Sequence, residues 1–131
     1  GREHCPGTEP RSIDVARRED CDEWNTCYDA VKAMFSQPQE IDSIIFSTDQ
    51  LANAGMRALQ DLGIRIPEDV AIIGIDNSIY SQLCSPQMTV LNNKMPELSI
   101  TCSNILLQIL SGQTVSNQLM VVSEIIERGT T

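Results

Sequence analysis

Basic charge, histidine and aromatic rings are all scarce in this chain. Nine Lys and Arg stand against 18 Asp and Glu, a net charge of −9. Such an average surface repels a phosphate backbone, so these residues are not expected to grip nucleic acid themselves. His4 is the single histidine, so any Ser-His-Asp or Cys-His arrangement would rest on one residue near the chain start. There is no Gly-x-Ser-x-Gly elbow, no glycine-rich phosphate loop and no His-Glu metal motif. An acid/base pair of Asp49 and Asp76 is the one catalytic alternative left; the expectation is no enzyme, no metal and no cofactor. No apolar run approaches the roughly 20 residues that span a bilayer, and the opening Gly1-Arg2-Glu3-His4-Cys5-Pro6 contains no signal-peptide core. The five cysteines are odd in number and form no Cys-x-x-Cys pair. They read as small buried apolar residues, reduced as in a cytosol, rather than as a disulfide framework or zinc ligands.

What the chain does have is alternation of apolar strands with helical spacing. Residues 5–11 form a loop with Pro6, Gly7 and Pro10 as breakers, and 12–17 alternate as a strand. From Asp22, a plausible N-cap, apolar groups recur at Trp24, Cys27, Tyr28, Val31, Met34 and Phe35 with helical period. Ile44-Ile45-Phe46 predicts a second strand. Asp49 then opens a helix with the stripe Leu51, Ala52, Gly55, Ala58, Leu59 and Leu62.

The most informative stretch is 63–78. Gly63 suits the left-handed position after a last helical turn, and Pro67 holds Ile66 extended. Residues 70–75 carry no polar side chain, the pattern of a parallel strand buried on both faces. A loop or short helix at 78–82, a short strand at 88–91, a helix through Leu98, Cys102, Ile105, Leu106, Ile109 and Leu110, and a last strand at 119–126 complete the reading. Strand–helix alternation with short connections predicts an α/β fold with an open, mainly parallel sheet and right-handed crossovers.

Asp76 and Asn77 stand at the carboxyl end of the 70–75 strand, and Thr48 and Asp49 follow the 44–46 strand. Open α/β sheets bind ligands at that rim, where carboxylates and amides can hydrogen-bond hydroxyls of a small polar molecule. For Asp49, satisfying free N–H groups at a helix start competes with ligand contact; for Asp76 a turn or cap role competes. Trp24 reads first as a core residue, with stacking on a sugar ring as the alternative.

The order and spacing of several blocks over residues 41–131 resemble the effector-binding domain of lactose-repressor (LacI) family transcription regulators. They are Ile44-Ile45-Phe46-Ser47-Thr48-Asp49-Gln50-Leu51-Ala52, Gly55-Met56-Arg57-Ala58-Leu59, Gly63-Ile64-Arg65-Ile66-Pro67-Glu68-Asp69-Val70, Gly74-Ile75-Asp76-Asn77, Ser85-Pro86-Gln87-Met88-Thr89 and Ile125-Ile126-Glu127-Arg128-Gly129-Thr130-Thr131. The resemblance implies one lobe of a type I periplasmic-binding-protein-like fold. Residues 1–131 would form the C-terminal lobe, with about 95–118 crossing toward an N-terminal lobe outside this chain. It further implies a sugar-like effector, operator DNA contacted only through a separate helix-turn-helix module, a homodimer, and a cytoplasmic location without membrane contact. The alternative is a periplasmic sugar-binding protein of a transport system. Carried over by position, the ligand-binding residues are Asp76, Thr48 (where the family usually has Asn), Asn93 and Met95. A cleft aromatic of the family aligns with Asp22 more closely than with Trp24. The expected dimer surface includes the start of the Leu51 helix and the loop of Tyr80, Leu83 and Cys84.

Overall fold

The computed structural model describes residues 22–38, 40–116 and 118–131; the expected 5–11 loop, the 12–17 strand, His4, Cys5 and Cys21 lie outside them. The described elements run α1 (Glu23–Phe35), β1 (Ser43–Ile45), α2 (Asp49–Asp61), β2 (Ala71–Ile75), α3 (Ile79–Leu83), β3 (Thr89–Asn92), α4 (Met95–Leu110) and β4 (Glu124–Ile126). The strands form one sheet in the order β1-β2-β3-β4. The β1–β2 and β2–β3 pairings are parallel and β3–β4 is antiparallel, so the expected mainly parallel sheet is found.

Local chemistry sets the helix ends. Asp22 caps α1, its carboxylate accepting from Trp24 N at 3.0 Å. Thr48 caps α2, its hydroxyl accepting from Leu51 N. Gly63 closes α2 at φ +76°, and Ile64 N donates to Leu59 O across it; a residue with a Cβ would be strained there. In the connection to β2, Arg65 grips Asp69 through its backbone N–H and its guanidinium. That side-chain pair holds the Asp69 carboxyl down at about 2. A depressed carboxylate contributes stability above its ordinary pKa of 3.8, and that contribution is lost as pH falls toward 2. An NMR titration should therefore place the Asp69 midpoint near 2 in the native chain and near its ordinary value in Arg65→Gln.

The core lies between the helices and one sheet face. Cys27 and Val31 of α1, Ala52, Met56, Ala58 and Leu59 of α2, and Phe46, Val70, Ile72, Met88 and Val90 make one buried cluster. Helix α2 approaches the chain after β1 through Gly55: a Cβ there would sit 2.2 Å from Phe46 Cζ. Gly55→Ala should thus destabilise by overpacking, at the upper end of about 1–3 kcal/mol. Denaturant unfolding checks this, and Phe46→Leu in the same chain should recover part of the loss.

Several expectations need correction. The 70–75 strand is not buried on both faces. Ile72 and Gly74 are buried while Ala71, Ile73 and Ile75 are half-covered, because the described helices back one face only. Ile45, on the other face of β1, is 71% exposed. The last strand is Glu124–Ile126, not 119–126, since β3 offers partners only at Val90, Leu91 and Asn92 before the chain turns at Lys94 into α4. Of the cysteines described, Cys27 is buried, Cys84 half-buried and Cys102 exposed, all as free thiols. No residue of α4 is buried; Ile100, Leu106, Leu107 and Leu110 lie open. Among the described residues, no helix is long and apolar enough to cross a membrane.

Candidate polar site at the strand ends

Three parallel strands deliver their carboxyl ends to one rim. Counting on from the Ile45↔Ile73 and Ile75↔Leu91 pairs, Thr48 falls level with Asp76, and Asn77 with Asn93. Asp76 N donates to Leu91 O, so the residue is still pinned by the sheet. The backbone then turns through two positive-φ residues, Asp76 (φ 102°) and Asn77 (φ 60°). Such geometry is uncommon outside glycine, and Asp and Asn tolerate it best.

The Asp76 carboxylate oxygen Oδ1 accepts from Asn93 Nδ2 at 3.1 Å. Asn93 Oδ1 accepts in turn from Ser123 Oγ at 3.1 Å. A second relay starts at Lys94, whose αL backbone (φ 51°) begins α4. Lys94 N donates to Asn92 Oδ1 and its ammonium pairs with Glu124, which also accepts from Asn92. The rim therefore presents carboxylate, amide, hydroxyl and ammonium groups already oriented by one another. Asp76 Oδ2 has no partner among the described residues, and the Thr48 hydroxyl, an acceptor in its cap, retains a hydrogen to donate. This set suits hydroxyl groups of a small polar ligand.

Asp49 stands differently from its expected roles. It is 2% exposed, and its carboxylate accepts from Ser78 N on the neighbouring turn while Thr48 does the capping. It thereby holds the residue that follows the Asp76–Asn77 turn. Close packing enforces this: a Cβ on Gly74 would meet Asp49 Cα at 3.1 Å and Met88 Sδ at 2.6 Å.

The other sequence-derived candidates fall in two groups. Met95 is the first residue of α4, exposed beside Asn93 and Lys94. Trp24 stacks on Tyr28 with ring centroids 5.7 Å apart, and it packs against the core cluster. Asp22 spends both carboxylate oxygens on its own helix, on Trp24 N and Asn25 Nδ2. The structure thus joins Asp76 with Asn93 directly and places Trp24 and Asp22 with the α1–α2 layer.

Sequence reasoning missed Ser123, Lys94 and Arg128 as parts of the rim. Arg128 donates to Asn77 Oδ1 at 2.7 Å, to Met88 O at 2.8 Å and to Ser81 Oγ at 3.2 Å. Long sequence separation hid the partners of Ser123 and Arg128; an arginine two residues past a strand carries no local signal of its targets. A groove of about 460 Å³ lies elsewhere, lined by Cys102, Ile105, Leu106, Ile109, Val115, Ser116 and Leu119. Its walls are mainly apolar, with Ser116 as their one hydroxyl side chain, a poor match for a polyhydroxylated ligand.

The periplasmic binding protein-like domain family matches residues 3–131. An HTH-type transcriptional regulator of Lachnoclostridium phytofermentans is 31% identical over 101 residues, which are 77% of this chain and 30% of that protein. Among solved structures, a LacI family transcriptional regulator of Bifidobacterium animalis superposes with a TM-score of 0.76 at 28% identity, covering 82% of this chain and 40% of that one. A LacI family regulator of Arthrobacter in complex with lactose gives 0.76 at 26% identity, covering 82% and 41%. The chain thus spans about a third of the length of the regulators it matches.

Proposed function

We propose, for a chain that belongs to the periplasmic binding protein-like domain family of LacI-type regulators, that it is the effector-sensing lobe of a bacterial transcription regulator. In this reading a small sugar or sugar derivative binds at the rim, and its binding controls operator affinity through a helix-turn-helix module outside these residues. One observation carries it: the Asp76–Asn93 pair, 3.1 Å apart, at the carboxyl ends of adjacent parallel strands.

Asp76 accepts from a ligand hydroxyl, Asn93 donates to or accepts from a neighbouring one, and Thr48 and Met95 line the entrance. Trp24 and Asp22 remain outside the proposed contact set, given their places on α1. Residues 1–131 act as the C-terminal lobe, and about 95–118 cross to a second lobe that closes over the ligand. The unburied α4 supports this, because a helix with Ile100, Leu106 and Leu110 in water calls for cover. The protein works as a cytoplasmic homodimer, and Tyr80 and Leu83 on the outer side of α3 belong to the subunit contact. The names of the relatives, which are transcription regulators, favour this over a transport-system binding protein.

Calorimetry tests the reading with a panel including lactose and cellobiose. The 131-residue chain should bind none of them more tightly than about 1 mM, since half the ligand surface stays in water. A form extended at its N-terminus to the length of its relatives should bind at least one in the micromolar range. Micromolar binding by the 131 residues would overturn the two-lobe assignment, and an extended form that binds no saccharide would overturn the effector assignment.

A further inference from the structure

We infer that Arg128 is the positioning residue for the Asp76 carboxylate, holding the strained 76–77 turn in place and tying it to α3. The inference rests on the proposed role of Asp76, but its test does not require a ligand.

The argument begins with the backbone. Two consecutive non-glycine residues at positive φ cost free energy and persist only where surrounding contacts over-determine them. Beside the Asp76–Asn93 bond, three further braces are visible. The sheet holds Asp76 N through Leu91 O, and the buried Asp49 holds Ser78 N. Asn77, between them, is held by Arg128 alone among the described residues.

Arg128 is itself well anchored. Its backbone N–H donates to Thr89 Oγ1 at 2.9 Å, and one guanidinium nitrogen donates to both Met88 O and Ser81 Oγ. Ser81 is fully buried on the inner side of α3, whose outer side carries the exposed Tyr80 and Leu83. One planar fork thus bridges the turn beside Asp76, the start of β3 and α3. A guanidinium suits this task because its donors are fixed in one plane. Displacement of the turn, as when a ligand engages Asp76, would strain the bond to Asn77 and through the fork reach Ser81. The same fork keeps the Asp76 carboxylate directed toward Asn93 when the site is empty.

Hydrogen–deuterium exchange on the 131-residue chain provides the test. In Arg128→Gln, amides of residues 76–83 should exchange about 10-fold faster or more, the loss expected for a charge-assisted bond, while α1 and the middle of α2 keep native protection. Arg128→Lys, which keeps the charge but not the fork, should fall between the two. Asn77→Asp makes the acceptor charged and should slow exchange of 76–78 in the native background, but not in Arg128→Gln. Unchanged exchange at 76–83, a uniform rise in all elements, or slowing by Asn77→Asp that persists without Arg128 would each overturn the inference. Should Arg128→Gln fail to fold, Arg128→Lys decides alone: faster exchange confined to 76–83 supports the inference, and native exchange there overturns it. Exchange results as expected, combined with no saccharide binding by the extended form, would sink the effector reading and leave the positioning role standing.

Discussion

Thr130→Val should destabilise this chain more than any comparable change of shape near the surface. Thr130 is fully buried, and its hydroxyl does two jobs. It donates to Ile72 O at 2.7 Å and accepts from Thr89 N at 2.9 Å. Its backbone carbonyl accepts from Ile72 N as well. The last residues of the chain thus complete the ladder at the amino-terminal ends of β2 and β3. Valine fills the same volume but leaves one buried acceptor and one buried donor without partners, each costing roughly 1–3 kcal/mol. Thr130→Ser, which keeps the hydroxyl, should lose only the methyl packing, about 1 kcal/mol. Denaturant midpoints rank the two. If serine proves as damaging as valine, packing and not hydrogen bonding holds the terminus.

The second large effect is expected at the proposed site. In the extended form, Asp76→Asn should weaken saccharide binding about 10- to 100-fold, because removing the charge from a carboxylate acceptor costs roughly 1.5–3 kcal/mol. Folding should be little changed, since Asn tolerates the φ of 102° found there. Asp76→Ala should show the same loss of binding with a further destabilisation of about 1 kcal/mol, because alanine is unfavourable at positive φ. Calorimetry with parallel thermal unfolding separates the two effects. Normal affinity in both variants would remove Asp76 from the site.

The contrast between these residues shows what the sequence could and could not convey. Asp76 was legible because its signal is local: an apolar strand that ends abruptly in a carboxylate. The end of α2 at Gly63 was legible for the same reason, since glycine permits the positive φ found there, whereas Ile66 lies in a turn over 66–69 and not in the extended segment that Pro67 suggested. Thr130 and Arg128 gave no such sign. Their partners, Ile72 and Asn77, are 58 and 51 positions away, and only folding reveals that the tail runs back along the sheet. Asn93 stood between the cases, suggested by family resemblance and then found in contact with Asp76. The final strand was overread because the apolar pattern at 119–126 reports what could pair, whereas the short β3 determines how much does. Trp24 was ambiguous from spacing alone, and its stacking on Tyr28 places it in the helix layer.

A crystal structure of the extended form, grown with a saccharide it binds, tests the central claim most directly. The account predicts a sugar hydroxyl within about 2.6–3.0 Å of an Asp76 carboxylate oxygen, with Asn93 beside it and the second lobe resting on α4. A saccharide lodged in the groove of Ile105, Leu106 and Ile109, or anywhere that leaves Asp76 and Asn93 untouched, would contradict it.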